Sequence, residues 1–115
     1  MAIKTILQQD ATLLHRQTAT VTEINSQKVI EAIKDLSDTM RAQDLVGMEA
    51  PQIGYDLQIF ITEVRTTKAR DQDFTDQLRV FINPKLISIS KETAIIYEGC
   101  GSCFDKGYFG PVHRA

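Results

Sequence analysis

A cysteine between two glycines marks the first place where the residue types suggest chemistry. Cys100 lies between Gly99 and Gly101, within the segment 98–102. Glycine has no Cβ, so backbone can approach the sulfur closely from both sides. A thiolate in such a place can bind a metal ion or attack a substrate, whereas a buried free cysteine behaves as a small apolar residue. This segment by itself leaves these interpretations open.

A glutamine in a glycine- and proline-rich stretch is the second candidate. Gln52 follows Pro51 within residues 47–54, where two glycines and a proline in eight residues predict a loop. An amide held by a rigid loop can direct its N–H toward a developing oxyanion. An ordinary helix-to-strand connection with a surface glutamine would have the same composition, so this motif alone does not decide between the two.

Hydrophobic periodicity predicts one helix ahead of these segments. Apolar residues recur at spacings of three and four after Ser26, a residue type favoured at helix N-caps, and predict an amphipathic helix over 27–43 that ends before Gly47. The apolar stripe consists of Val29, Ile30, Ile33, Leu36 and Met40. The solvated face is predicted to carry Lys28, Glu31, Lys34, Asp35, Asp38 and Arg41.

The remaining elements are short and mostly β. Residues 1–24 have no sustained period and predict an extended lead-in with one short turn. Residues 57–64, 79–82 and 93–97 predict strands, the second halted at Asn83-Pro84, and residues 85–90 also alternate. Short turns between such runs favour antiparallel pairing. The fold class is therefore predicted to be α+β, with one N-terminal helix packed on short strands.

Composition narrows the class of protein. The 115 residues suit a single domain over 1–115, with 43% hydrophobic and 24% charged residues. A net charge of −2 argues against nucleic-acid binding, and no apolar run could span a membrane. The first ten residues lack the apolar stretch of a secretory signal, and two cysteines make no disulfide framework. We therefore expect a cytoplasmic protein.

The order of the motifs resembles one family. A helix, then Gly47-Met48-Glu49-Ala50-Pro51-Gln52, then strands with Asn-Pro, then Glu98-Gly99-Cys100-Gly101-Ser102 resembles peptide deformylase. The resemblance covers almost the whole chain and about the first two-thirds of the family's domain. It implies a metal-dependent hydrolysis, usually with Fe²⁺ and otherwise with Zn²⁺ or Ni²⁺, that removes the formyl group from the N-terminal methionine of new polypeptides.

The resemblance also implies roles for particular residues. Cys100 would be a metal ligand, and Gln52 with the backbone N–H of Gly101 would stabilise the oxyanion of the tetrahedral intermediate. The backbone of the substrate-binding residues would pair with an extended formyl-Met peptide by β-augmentation. These substrate-binding residues are Val46, Gly47, Glu98 and Gly99.

The chain departs from the family pattern in ways that bear on activity. The family's third motif, His-Glu-x-x-His, supplies two metal ligands and a general base; the 115 residues contain only His15 and His113, and neither precedes a glutamate. Leu45 stands where the family usually has Gly, Glu49 replaces a small Ala, and Gly101 replaces a bulky Leu or Met. We expect the 115-residue chain to be inactive.

Other functions fit some of the same residues. Cys100 and Cys103 have the spacing of redox pairs and of zinc half-sites, but redox pairs lie at helix N-termini, and a zinc site would need further ligands such as His113 and Asp105. Glu49 could act as a substitute base, although an exposed surface glutamate is the simpler interpretation. In the family, His-Glu-x-x-His lies on a helix that packs against the sheet. The alternative function is a non-catalytic protein that binds peptides, or that self-associates through an apolar face left uncovered without this helix.

Overall fold

One helix and five short strands make up the architecture of the part of the chain that the structure describes. The computed structural model describes residues 2–68, 71, 73–102 and 108–113, with the backbone alone described at 97, 98 and 108–113. A 3₁₀ turn at Thr12–His15 lies in the N-terminal segment, as the single short turn predicted there. The elements that follow are helix α1, strand β1, a second 3₁₀ turn, and strands β2, β3, β4 and β5.

Helix α1 spans Gln27–Ala42 and confirms the prediction over 27–43. The Ser26 Oγ accepts the Val29 N–H at 3.3 Å, so the predicted N-cap is formed. The helix buries Leu36 and Met40 completely, as the apolar stripe predicted. Packing against the strands therefore holds the helix, consistent with its contacts with β1 and β2.

Two residues of α1 lie on the face opposite to the one predicted. Ile30 is 40% exposed although it was assigned to the apolar stripe, and Asp35 is buried although it was assigned to the solvated face. Asp35 accepts the Tyr55 O–H at 2.7 Å and the Ala2 N–H at 3.1 Å, and it pairs with Lys4 at 3.7 Å. These partners satisfy the carboxylate, which is the condition for burying a charged group.

The predicted loop at 47–54 proved to be regular structure. Strand β1 (Gly47–Glu49) is followed directly by the second 3₁₀ turn (Ala50–Ile53). The chain turns away from α1 at Asp44, whose φ of +58° is left-handed, three residues before Gly47. Asp44 makes this turn because its short polar side chain tolerates the left-handed region.

Three strands form an antiparallel sheet in the order β1-β2-β3. β2 spans Ile59–Thr62, shorter than the predicted 57–64, and β3 spans Arg79–Ile82 as predicted. The register places Met48 opposite Ile61. Met48, Ile59 and Ile61 are buried, so one face of the sheet supplies the core opposite α1.

The last two strands form a separate antiparallel pair. β4 spans Thr93–Glu98, in agreement with the predicted run, and β5 spans Tyr108–His113, which the sequence did not predict. Gly110 and Pro111 lower the local β propensity of β5, and pairing with β4 compensates for this. Residues 85–90 form no strand, although they alternate in sequence.

A single cluster of buried residues joins the helix, the sheet and the N-terminal segment. The observed fold class is α+β, as predicted. The part of the chain that the structure describes contains no helix long and apolar enough to cross a membrane. The buried cluster consists of Ile6, Val21, Val29, Ala32, Leu36, Met40, Met48, Ala50, Ile53, Leu57, Ile59 and Ile61.

Candidate active site

The two predicted segments meet in space. The Gln52 Nε2 lies 3.9 Å from the Cys100 Sγ, although 48 residues separate the two in sequence. The same Nε2 donates to the Ser102 Oγ at 3.1 Å, and this contact is buried. An oxyanion donor must lie close to the group that holds the reacting atom. This requirement predicts that the Gln52 amide lies within about 8 Å of the Cys100 sulfur. The observed distance satisfies that condition.

The second 3₁₀ turn fixes which way the Gln52 amide faces. The Gln52 Oε1 accepts the Glu49 N–H at 2.9 Å, and the Glu49 carboxylate accepts the Gln52 N–H, which completes a capping box. Pro51 lies at the start of the turn, and Gly54 (φ +92°) ends it. Because its oxygen is engaged, the amide presents its N–H₂ to Cys100.

Glu49 therefore has a structural role that the sequence reasoning missed. Its side chain is exposed and caps the turn through the Gln52 backbone N–H. The spacing Glu-x-x-Gln before an apolar residue is the sequence pattern that could have indicated this role. Reciprocal capping needs a carboxylate or hydroxyl three residues before a glutamine or glutamate. The expectation of an exposed glutamate agrees with this position.

The N-terminal segment binds both motifs, which its irregular sequence did not indicate. The Leu7 N–H donates to the Gln52 carbonyl at 2.7 Å, and the Gln9 N–H donates to the Ser102 carbonyl at 2.9 Å. Between them, the Gln8 Nε2 donates to the Gly101 carbonyl at 3.3 Å. Residues 7–9 thus link the Gln52 turn to residues 101 and 102, which are far from it in sequence.

A cleft of about 460 Å³ opens beside these side chains. Its volume falls in the range of small-molecule and peptide-residue sites. Cys100 is exposed, so its sulfur is accessible from the cleft. The residues that line the cleft are Gln9, Leu14, His15, Gly47, Met48, Glu49, Gln52, Phe60, Ile61, Thr62, Cys100 and Ser102.

The free edge of β1 offers backbone groups to an extended ligand. The Val46 carbonyl already accepts the Glu63 N–H at 2.8 Å, toward β2. Backbone groups alternate between the two edges of an antiparallel strand, so Gly47 directs its N–H and carbonyl away from β2. Glu98 ends β4 and Gly99 follows it as an exposed residue next to Cys100. Of the residues predicted to bind the peptide, Gly47 is thus the one on β1 whose backbone N–H and carbonyl face away from β2.

A metal site is only partly represented in the described residues. The Cys100 sulfur is a ligand type that Zn²⁺ and Fe²⁺ accept. Within residues 2–68, 71, 73–102 and the backbone of 108–113, no three His, Cys, Asp or Glu side chains are grouped to hold a metal ion. The further zinc ligands considered from the sequence, Cys103, Asp105 and the His113 side chain, lie outside the described atoms. The described residues therefore do not complete a metal shell by themselves.

A hydrogen-bonded pair of a buried carboxylate and a partly buried phenol anchors the chain just after the Gln52 turn. The Tyr55 O–H donates to Asp35, and this hydrogen bond, together with burial, raises the pKa of Tyr55 to about 12. The Tyr55 N–H also donates to the Ala50 carbonyl at 3.1 Å. The pair therefore connects helix α1 to the turn that carries Gln52.

Comparison with known proteins identifies the family. The family model described as polypeptide deformylase matches residues 3–115, and the chain therefore belongs to the peptide deformylase family. A peptide deformylase of Chloroflexus aurantiacus is 32% identical over 124 residues, covering 99% of this chain and 64% of that relative. A peptide deformylase of Pseudothermotoga lettingae is 44% identical over 71 residues, covering 62% of this chain and 35% of that relative. The chain thus spans about one third to two thirds of the length of these relatives.

Solved structures agree with this assignment. A class I type b peptide deformylase of Acinetobacter baumannii, bound to K2U, has a TM-score of 0.82 at 27% identity, with 100% of this chain and 73% of that chain covered. The Ehrlichia chaffeensis peptide deformylase has a TM-score of 0.78 at 26% identity, with 98% and 64% covered. The A. baumannii enzyme bound to Met-Ala-Ser has a TM-score of 0.85 at 23% identity, with 100% and 73% covered, which shows the shared fold.

Proposed function

We propose that this chain carries part of a peptide deformylase active site, for hydrolytic removal of the formyl group from the N-terminal methionine of new polypeptides in the cytoplasm. The observation that carries this proposal is the 3.9 Å separation of the Gln52 Nε2 and the Cys100 Sγ beside an open cleft. Family membership supplies the reaction. The fold supplies the arrangement of the two motifs.

The chain's own residues would act by binding and charge stabilisation. Gln52 and the Gly101 N–H donate hydrogen bonds to the oxygen that gains negative charge when the formyl carbon becomes tetrahedral, an interaction worth about 10²- to 10³-fold in rate per donor. The oriented amide of Gln52 supports this role, because its donor side already faces Cys100. The backbone of Gly47 and Val46, with that of Glu98 and Gly99, would hold the formyl-Met peptide in an extended conformation.

In this family the hydrolysis depends on a metal ion. Fe²⁺, or Zn²⁺ or Ni²⁺, supplies an activated water when bound, and Cys100 would be one of its ligands. Catalytic sites of this kind use about three protein ligands. The 115 residues contain no His-Glu-x-x-His segment. We therefore propose that these 115 residues alone bind the metal weakly and do not turn over substrate at an enzyme's rate.

Peptide binding tests the site separately from turnover. Met-Ala-Ser is bound by the A. baumannii relative, so formyl-Met-Ala-Ser is the probe, titrated into the ¹⁵N-labelled chain. We expect shifts of the backbone amides of Gly47 and Gly101 and of the Gln52 side-chain amide. Gln52→Ala should weaken binding, whereas Ser88→Ala, at an exposed position away from the cleft lining, should leave it unchanged. Saturating peptide without shifts at these groups would refute the assignment of the site.

Turnover is measured on the same protein with added Fe²⁺, Ni²⁺ or Zn²⁺. Formation of formate from formyl-Met-Ala-Ser is followed for the chain and for Cys100→Ala. We expect neither protein to exceed the metal-only background. Metal-dependent formate production that disappears in Cys100→Ala would show that the proposed inactivity is wrong.

A second candidate is self-association, which one group of exposed residues favours. Leu86, Ile87 and Ile89 fall within four consecutive residues and are 73%, 92% and 54% exposed. Adjacent apolar side chains of this kind mark interaction surfaces more often than scattered ones do. We propose that a second copy of this chain covers them. A peptide bound without catalysis at the β1 edge is compatible with the same assembly.

A further inference from the structure

Gly101 lies against the Leu45 side chain, which would have to shift to admit a Cβ at this position. A Cβ built on Gly101 would be 2.7 Å from the Leu45 Cδ1 and 3.4 Å from the Ile6 Cδ1. The first distance is below any that real Cβ atoms show, so Leu45 would have to move. The φ of Gly101 is not in the left-handed region. The space that Leu45 leaves, and not the backbone conformation, therefore favours glycine at this position.

Leu45 is held in place from several directions. Its N–H donates to the Met40 carbonyl at 2.9 Å, at the end of helix α1. Its carbonyl accepts from the Arg65 Nη2 at 2.5 Å. Its side chain packs partly buried against the core. A residue with both backbone groups bonded and its side chain packed against the core yields less readily than a surface side chain.

We propose that Leu45 is a positioning residue for the candidate oxyanion site. Its side chain packs directly on the bare Cα of Gly101 and thereby sets the distance between this backbone and the Gln52 amide. This inference rests on the proposed function for its catalytic meaning. The packing itself does not depend on that function.

The contact controls geometry because Gly101 is flanked by both partners of Gln52. Cys100 and Ser102 are its chain neighbours, and the Gln52 Nε2 contacts a side-chain atom of each. The Gln52 Nε2 itself is 3.9 Å from the position of the missing Cβ. Displacing Gly101 away from Leu45 would therefore move the sulfur, the hydroxyl and the backbone N–H together relative to the amide. Shifts near 1 Å are enough to impair a catalytic arrangement about 10²-fold.

A double-mutant cycle tests the proposal on the full 115-residue chain. The variants are Gly101→Ala, Leu45→Ala and Leu45→Ala/Gly101→Ala, each measured by thermal denaturation and by the ¹H–¹⁵N signals of the Gln52 side-chain amide. The matched control is Gly99→Ala, because a Cβ on Gly99 meets no atom within 4 Å. The control reports the general effect of replacing a glycine in this segment.

We expect Gly101→Ala to lower the Tm by roughly 5 °C or more through overpacking, and Gly99→Ala to leave it within about 2 °C. Removing the Leu45 side chain creates the missing space, so the Tm loss of the double variant should be clearly smaller than the sum of the single losses. The Gln52 amide signals should shift in Gly101→Ala and return toward their original positions in the double variant.

Several results would overturn the proposal. Additive Tm losses would show that Leu45 and Gly101 are not coupled. Unmoved Gln52 signals in a destabilised Gly101→Ala would show packing without positioning. If Gly101→Ala fails to fold, the double variant must still fold, and its failure to do so counts against the coupling. A failure of the proposed function appears elsewhere, as absent peptide shifts in the unsubstituted chain.

Discussion

Gln52 illustrates how one side chain can be oriented by partners on both of its polar atoms. Its side-chain oxygen accepts the Glu49 N–H and its side-chain nitrogen donates to the Ser102 hydroxyl. Its backbone carbonyl accepts the Leu7 N–H. These bonds hold the amide in one orientation, which the proposed oxyanion role of Gln52 would need. Preorganisation of this kind is the main source of electrostatic catalysis.

Removing the acceptor on Ser102 should destabilise the site. Ser102 is 4% exposed, so Ser102→Ala removes a buried hydrogen bond and leaves the Gln52 N–H₂ without its hydroxyl partner. We expect a loss of about 1–2 kcal/mol in the free energy of unfolding, measured by urea denaturation. Ser88→Ala, at an exposed position, should change it by less than about 0.5 kcal/mol. Equal effects of the two substitutions would contradict the buried hydrogen bond.

Tyr55 should make stability depend on alkaline pH. Its pKa rises from 10.0 to about 12 on folding, chiefly through the hydrogen bond to Asp35. The folded state therefore binds this proton more tightly than the unfolded state, so the contribution is complete below pH 10 and is lost as the pH rises toward 12. We expect Tyr55→Phe to be less stable at pH 8 and to lose less stability than the unsubstituted chain between pH 10 and 12. Urea midpoints across pH 8–12 check this, and parallel curves would contradict it.

The N-terminal segment and helix α1 are the elements that hold the cleft together. Residues 7–9 join the Gln52 turn to Gly101 and Ser102 through three hydrogen bonds. The Lys4 N–H donates to the Thr39 Oγ1 at 2.8 Å, which fastens the start of the same segment to the helix. A perturbation of the helix should therefore reach the cleft through this segment.

Two substitutions in α1 distinguish its buried face from its exposed face. Leu36 is completely buried, so Leu36→Ala should cost about 2–5 kcal/mol through lost burial and the cavity that remains. Ile30 is 40% exposed, so Ile30→Ala should cost about 1 kcal/mol or less, and the better helix propensity of alanine offsets part of that. Thermal denaturation measures both. A comparable loss for Ile30→Ala would restore the wider apolar face that the sequence predicted.

For the whole molecule, the exposed apolar residues near position 87 predict concentration-dependent assembly. Light scattering after size-exclusion chromatography should give a mass above that of one chain at high concentration. Ile87→Lys should shift the protein toward the monomer, because a charge at a 92% exposed apolar position costs nothing in the free chain and is desolvated in an interface. Ile3→Lys, at a 65% exposed position in the N-terminal segment, is the control. A monomer at all concentrations would exclude self-association.

The sequence predicted helix α1, strands β2, β3 and β4 and the α+β class because these depend on local signals. The N-cap at Ser26 and the 3.6-residue period act within a few residues, and so does the alternation of strands. Gln52 and Cys100 were also recognised from sequence, through the resemblance of their two motifs. Glu49 was the missed local signal, since its capping box spans only residues 49–52.

Features that depend on residues distant in sequence were determined only by the tertiary structure. Asp35 is buried because Tyr55, Lys4 and the Ala2 N–H converge on it. β5 forms because β4 supplies its hydrogen bonds, against the propensities of its own glycine and proline. The fit of Leu45 on Gly101 joins residues 56 positions apart, and sequence periodicity carries no information at that range. Packing and hydrogen bonding between remote segments override local propensity in each case, since burial of a group is settled only once all its neighbours are in place.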